Sequence, residues 1–342
     1  MSTTVGVVQV GLGALGRRVT SYLAERPNLQ IVAAVDPNPA LVGRDLGEVS
    51  GLGHALGLTV TDQLDPANCE TQPQVAIHTT VSSLAEAKPQ MIGLLDQGMH
   101  IVSSCEELSF PWQTAPVLAR EIDRLAQEAG LAVLGTGVNP GFLMDFLPTA
   151  LTAICRDVSK VTVLRYQDAR FRRLPFQQKV GAGLTPKEFD YKKADGSLRH
   201  VGLTESMHLI ADRLGWELDR TEDIIEPVIA EAAISSEHIT VEPGRAAGVY
   251  QRGLAYQDGE EKIRLEFRAC LGEKEVQDTV IIEGTPSLRF TIPDGVNGDV
   301  ATCAILTNAV RSVLTVPPGL RTMADVPAVS WFSGQTKPRG SS

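Results

Sequence analysis

The chain has 342 residues, 43% hydrophobic, 21% charged and 5% aromatic, with a formal net charge of −10. This is the composition of an ordinary globular protein, long enough for two domains. The acidic balance argues against a nucleic-acid or anionic-membrane surface, and no apolar stretch reaches the length of a membrane span.

The N-terminus, "MSTTVGVVQVGLG", enters a strand pattern at once, without the basic region of a secretory leader. The apolar run Val5 to Val10 leads into Gly11-Leu12-Gly13-Ala14-Leu15-Gly16, and Leu15, Val19, Tyr22 and Leu23 then recur at helical spacing. A G-x-G-x-x-G between strand and helix is the dinucleotide fingerprint. Gly11 serves the tight turn, Gly13 the backbone approach to a pyrophosphate, and Gly16 the close packing of helix on strand, while Ala14 and Leu15 open the helix whose N–H groups meet the phosphates. A second strand, "QIVAAVD", ends in Asp36, about 20 residues on, where a carboxylate binds a ribose 2′-hydroxyl and repels a 2′-phosphate. NAD is therefore the preferred cofactor, with NADP left open by Arg44.

Alternation continues. "QVAIHTT" reads as a buried strand ending in Thr79 and Thr80, both candidate cofactor contacts, and "AKPQMIGLLDQG" as a helix stopped by Gly98. "HIVSSCEE" is the next strand, which places Glu106 at its carboxyl end; Glu107 is expected to point the other way, as successive strand residues do. "APVLAREIDRLAQEAG" is a strong helix, and "LAVLGTGVNPG" a strand and turn carrying Asn139. Strand–helix alternation of this kind builds a doubly wound parallel sheet, with ligands beyond the carboxyl ends of its strands.

From Val158 the pattern changes. "VSKVTVLRY" is strand-like, "QDARFRRLPFQQKVGAGLT" reads as a long loop, and "LTESMHLIADRLG" as an amphipathic helix. "GVYQRGLAYQDGEEKIRLEFRA" alternates on both sides of Asp258-Gly259, a hairpin signal. "VQDTVIIEG" and "SLRFTIP" add strands, and "GDVATCAILTNAVRSVLTVPPGL" is a helix suited to docking back on the first domain. The fold class is thus α/β: an N-terminal Rossmann doubly wound parallel sheet, with a second α+β domain on an open, mixed, mostly antiparallel sheet. The expected boundaries are 1–140 joined by 299–342, and 141–298. The tail "GQTKPRGSS" is expected to be disordered. Five scattered cysteines without C-x-x-C, and six histidines without ligand spacing, suggest reduced thiols, a cytoplasmic protein and no metal.

The segments "VGLGALG", "VDPNPALVGRDLG", "SSCEELSFP", "GTGVNPGF" and "RYQDARFRRLPFQQKVGAGLT" together resemble the 2,4-diaminopentanoate dehydrogenases and their relatives, the native amine dehydrogenases. The resemblance runs nearly the whole chain. It implies the architecture of dihydrodipicolinate reductase, a homodimer with its interface on the open face of the second sheet, and interconversion of an amine with a ketone using ammonia and NAD or NADP. It also implies that Glu106 is the catalytic carboxylate, that Asn139 lies near nicotinamide and substrate, and that Arg165, with Gln167 beside it, lines the substrate pocket. "GFLMDF" is core by default, with Phe142 and Leu143 as candidate apolar pocket wall. Asn308, in the last helix, either faces the nicotinamide or makes a core hydrogen bond.

For the reductive amination that the resemblance implies, the chemistry can be stated. Ammonium has no lone pair with which to attack a carbonyl, and a carboxylate in partly apolar surroundings could bind the cation and take its proton. The same charge stabilises an iminium as hydride arrives. Related sugar oxidoreductases carry E-K-P at this strand end, whereas C-E-E-L-S-F-P offers no lysine; the paired histidines of dihydrodipicolinate reductases are absent too, and Lys179 is the one attractive lysine for homoserine dehydrogenase chemistry. The rival readings are a strict 2,4-diaminopentanoate dehydrogenase, with Arg165, Arg172 or Arg173 meeting a substrate carboxylate, and a non-catalytic dinucleotide sensor with no use for Glu106.

Overall fold

A computed structural model describes residues 4–333; the tail 334–342, expected above to be disordered, lies outside the described residues. The chain divides into two units: one runs to Phe142 and resumes at Gly298, and the other is Leu143–Asn297.

In the first unit, strands β1 (Val5–Val10), β2 (Leu29–Val35), β3 (Val60–Thr61), β4 (Pro73–His78), β5 (His100–Ser103) and β6 (Ala132–Gly135) alternate with helices α1 (Ala14–Ala24), α2 (Leu46–Val49), α3 (Leu84–Asp96), α4 (Pro111–Thr114) and α5 (Pro116–Glu128). The returning chain adds helix α10 (Gly298–Val313) and strand β15 (Gly319–Arg321). The sheet has seven strands in the order β15-β6-β5-β4-β1-β2-β3, and all its pairs are parallel. Val7, Val8, Ile77, Val102 and Leu134 are fully buried, as continuous apolar runs must be when helices cover both faces. α10 lies on α1 and buries Cys303, Leu306, Val310 and Val313 at helical spacing. The strand order reverses between β1 and β4, so the crevice beyond their carboxyl ends is the topological switch point.

The second unit holds a six-stranded sheet built from β7 (Asp157–Asp168), β8 (Arg220–Ile229), β11 (Ala246–Gln257), β12 (Glu260–Cys270), β13 (Gln277–Thr285) and β14 (Leu288–Pro293), in the order β14-β13-β7-β12-β11-β8. β7 and β12 are parallel; the other pairs are antiparallel. A small pair, β9 (Ile234–Ser235) and β10 (Thr240–Val241), stands apart. Asp258 at φ 54° and Gly259 at φ 77° both take the left-handed conformation that a two-residue hairpin demands. Helices α6 (Phe146–Leu151), α7 (Leu174–Lys179), α8 (Pro186–Ala194) and α9 (Leu203–Leu214) complete the unit. α9 packs on β11 at Gly253, where a Cβ would come within 3.1 Å of the Met207 sulfur.

Two expectations change. The stretch after β7 is not a bare loop: a 3₁₀ turn, Ala169–Phe171, capped by Asp168, is followed by α7. Its anchor is polar, since buried Gln177 donates to the Arg172 carbonyl and accepts from the Ser236 hydroxyl, so no apolar period announces it. And β5 ends at Ser103; Glu106–Leu108 form a 3₁₀ turn beyond it. Among the described residues no helix is long and apolar enough to cross a membrane, and no group of three or more His, Cys, Asp or Glu could hold a metal ion.

Candidate active site

The three glycines of the turn after β1 do different things. Gly11 sits at φ 86°, and a Cβ there would lie 2.6 Å from the Thr79 carbonyl oxygen. A Cβ on Gly16 would lie 1.9 Å from the Gly11 carbonyl oxygen, so α1 could not approach β1 with any other residue. At Gly13, exposed at the start of α1, a Cβ would meet nothing within 4 Å: the space above this residue is open. No side chain caps α1, and its first turn has no acidic residue, so Ala14 and Leu15 begin a helix whose positive end is not masked from a phosphate. A cradle of this shape fits a dinucleotide pyrophosphate.

Asp36, half-buried at the end of β2, accepts hydrogen bonds from Leu12 N (2.6 Å) and Asn38 N (2.9 Å). A carboxylate offers about four acceptor positions, so ribose hydroxyls can still be bound. Arg17 donates from Nε to the Leu12 carbonyl at 2.8 Å, and Arg44 is exposed. Thr79 is spent on the turn: its Oγ1 lies 3.0 Å from the Gly11 carbonyl and 3.1 Å from that of Val10, and accepts from Gln9 Nε2 at 2.9 Å. Thr80, exposed, lies 2.8 Å from His78 Nε2.

Glu106 lies beyond β5 on the same sheet edge. The residues on either side of it are anchored. Cys105, buried, donates from Sγ to the Ser82 carbonyl, and burial together with the charges of Glu106 and Glu107 pushes its thiol up to about 12. Glu107 accepts from Leu84 N at 2.8 Å and so caps α3; it diverges from Glu106 because the backbone there is 3₁₀, not because a strand alternates. Gly135 on β6 lets the turn lie close, since a Cβ there would be 2.6 Å from the Leu108 backbone. Half-buried Glu106 has no side-chain partner among the described residues.

The loop after β6 is tight. Asn139 is buried and precedes Pro140 through a cis peptide, and Gly141, at φ 121°, brings the chain back on Gly137. Thr136 N bonds the Ser103 carbonyl at 2.8 Å, so the Asn139 loop and the Glu106 turn leave neighbouring strands. Val138 N is held by Thr302 Oγ1 (3.2 Å) from the first turns of α10. Asn308 does not belong to this region. α10 runs alongside α1, with Cys303 near Leu15, and Asn308 accepts from Arg26, past the far end of α1 from the glycine turn. Half-buried Asn308 lies six residues beyond Thr302, which carries it along α10 away from the sheet edge that Thr302 touches.

In the second unit, Arg165 is buried on β7 and pairs with buried Asp278 at 2.6 Å, while its NH2 donates to the Val296 carbonyl. Gln167, also buried, donates to that same carbonyl and accepts from Arg172 NH1 at 3.0 Å. Phe267, paired with Arg165 across β12 and β7, carries the ring of His200 stacked 4.6 Å away. Burial, with the charges of Lys179 and Arg165, pushes His200 down to about 3, so it stays neutral. Leu143 is core at 3% exposure, and Phe142 is half-buried. His200 and Thr302 carry no signal in the sequence, one being a lone histidine and the other a lone threonine in a helix.

Comparison with known proteins bears on these features. Residues 142–339 match the model of the 2,4-diaminopentanoate dehydrogenase C-terminal domain, and residues 5–104 that of the dihydrodipicolinate reductase N-terminus. The chain is 30% identical to 2,4-diaminopentanoate dehydrogenase of Acetoanaerobium sticklandii over 94% of its own length and 93% of the relative's. It is 23% identical to an amine dehydrogenase of Streptomyces virginiae, over 94% and 96% of the two chains. The solved amine dehydrogenase of Mycobacterium smegmatis superposes with a TM-score of 0.82 at 25% identity, over 96% and 98%. A Rossmann-type unit, a mixed-sheet unit and relatives that are dehydrogenases named for amines agree: the chain belongs to the 2,4-diaminopentanoate dehydrogenase family of oxidoreductases.

Proposed function

We propose that the chain is an NAD(P)-dependent amine dehydrogenase that catalyses reversible reductive amination of a small ketone or aldehyde with ammonia, giving a primary amine. One observation carries this reading. Glu106 presents an uncommitted carboxylate at the carboxyl edge of the dinucleotide-binding sheet, between neighbours that are both held by structural bonds. A nicotinamide dinucleotide supplies the hydride. Glu106 binds ammonium, accepts its proton to free the nucleophile, returns a proton as the carbinolamine loses water, and holds negative charge beside the iminium. Within the first unit Asn139 is the candidate for substrate recognition; within the second, taken by itself, the candidates are Arg165, Gln167 and His200.

A strict requirement for a substrate carboxylate is less well supported. The charge of Arg165 is already matched by Asp278, buried with it at 2.6 Å, so uncharged carbonyl compounds suit that face better than an anion. A homodimer in the cytoplasm is part of the reading. The reading takes as its interface the sheet face opposite Gly253, which carries Tyr166, Tyr250, Arg252, Arg264 and Glu266.

The test is oxidation of NADH and NADPH with acetone, cyclohexanone and 2-amino-4-oxopentanoate in concentrated ammonium buffer at alkaline pH, each with an ammonia-free control. Ammonia-dependent turnover of the plain ketones is expected. Turnover without ammonia would instead make the enzyme an alcohol dehydrogenase, and cofactor binding without turnover of any carbonyl would favour a sensor. Asp36 sets the cofactor preference in this reading. Asp36→Ala is expected to shift the NADH:NADPH ratio of kcat/KM towards NADPH by roughly tenfold or more, as loss of one charge-assisted hydrogen bond of about 1.5–3 kcal/mol implies. The same variant should unfold earlier, because Leu12 N and Asn38 N lose their acceptor.

A further inference from the structure

His78 is the last residue of β4, fully buried, and reaches three polar side chains. Its Nδ1 lies 2.9 Å from Ser103 Oγ, and its Nε2 lies 3.0 Å from Gln90 Oε1 and 2.8 Å from Thr80 Oγ1. Burial lowers its pKa, so the ring is neutral and carries one N–H. The Gln90 amide oxygen only accepts, which puts that proton on Nε2 and leaves Nδ1 as a lone pair. The Ser103 hydroxyl must then donate to Nδ1, and this turns an oxygen lone pair towards Cys105 N, 3.1 Å away. The backbone adds one more tie, Ser104 N to the His78 carbonyl at 3.0 Å.

The sequence of bonds has a direction. It runs from α3 through the imidazole and the hydroxyl to the N–H of Cys105, the residue immediately before Glu106. The sheet already pairs His78 with Ser103 in parallel register, so the side-chain bonds are not needed to align the strands. What they add is a fixed hydroxyl rotor, and with it a fixed start for the 3₁₀ turn.

We infer that His78 is a positioning residue for Glu106, acting through Ser103 on the turn that carries the carboxylate. This rests on the reading of Glu106 as the acid/base, which the experiment must test separately. A displacement of about 1 Å at a reacting group can cost on the order of 10²-fold in rate, so a relaxed turn should be visible in kcat.

Two substitutions divide the bonds of the ring between them. In His78→Asn the amide oxygen replaces Nδ1 and can still accept from Ser103, while the contacts to Gln90 and Thr80 are lost. In His78→Gln the amide reaches towards Gln90, and Ser103 loses its acceptor. Both are measured as full chains for kcat, KM, NADH affinity by fluorescence and thermal midpoint, beside wild type, Glu106→Gln and Ser103→Ala. Both His78 variants should unfold earlier and bind NADH as wild type does. kcat should fall by roughly tenfold or more in His78→Gln and Ser103→Ala, yet stay within about threefold in His78→Asn. Equal losses of kcat in the two His78 variants, or losses that follow the thermal midpoint, would overturn the inference. If either His78 variant fails to fold, Ser103→Ala decides: a folded protein with wild-type kcat sinks the role, and one with a reduced kcat and unchanged NADH affinity upholds it. A wild type without ammonia-dependent turnover, or an active Glu106→Gln, would remove the acid/base reading itself and this inference with it.

Discussion

Glu106→Gln should abolish ammonia-dependent turnover, lowering kcat by on the order of 10² to 10⁴-fold, while NADH affinity and thermal midpoint stay close to wild type. The substitution keeps the shape of the side chain and removes its charge and its basicity. No hydrogen bond or ion pair among the described residues is lost, because the carboxylate makes none. A change that breaks no bond and keeps the side chain's shape is worth within about 0.5 kcal/mol of stability. The neighbouring position supplies the contrast. Glu107→Gln retains an oxygen that can accept from Leu84 N, and the variant should keep turnover within a few-fold of wild type. Stopped-flow NADH binding with steady-state kinetics on both variants checks the pair. A Glu106→Gln enzyme with normal turnover would return the site to a sensor or to chemistry that needs no carboxylate.

The dinucleotide-binding unit was legible because its signals are local. Strand, glycine turn and helix follow one another within residues 5–24, and each glycine has a steric reason that does not depend on the rest of the chain. The hairpin at Asp258-Gly259 was legible for the same reason: two positive φ angles select the dipeptide. Glu106 was expected on the end of the strand and lies three residues beyond β5, on a 3₁₀ turn, since the switch of backbone depends on Ser103 Oγ, Ser82 and Leu84, none of which is adjacent to it. α7 was missed because polar bonds from Gln177 anchor it, and such bonds leave no hydrophobic period.

Side-chain roles were less legible than elements. Asn308 looked suited to the nicotinamide only while the direction of α10 was unknown; once that helix runs along α1, Thr302 is at the sheet edge and Asn308 is with Arg26. His78 and His200 each depend on partners from distant segments: Ser103 and Gln90 for the first, Phe267 for the second. Their contacts are a property of the fold rather than of any motif.

Arg165 was singled out as a pocket residue, and its buried ion pair makes the second large prediction one of stability. Arg165→Met should cost about 3–5 kcal/mol, because it strands the Asp278 carboxylate in the interior. Asp278 is 5% exposed, and after the substitution only the Val296 N–H, at 2.7 Å, still donates to it among the described residues. The double variant Arg165→Met/Asp278→Asn removes the stranded charge and keeps an oxygen for Val296 N. It should therefore recover much of the loss, and a double-mutant cycle by denaturant unfolding should give a coupling well above the roughly 0.3–0.5 kcal/mol scatter of independent sites. The double variant also separates stability from recognition. If the charge of Arg165 serves only Asp278, ammonia-dependent turnover of cyclohexanone and of 2-amino-4-oxopentanoate should change in parallel. A selective loss with the carboxylate-bearing substrate would mean that the guanidinium is shared between Asp278 and the substrate, and would restore the stricter reading of this enzyme's specificity.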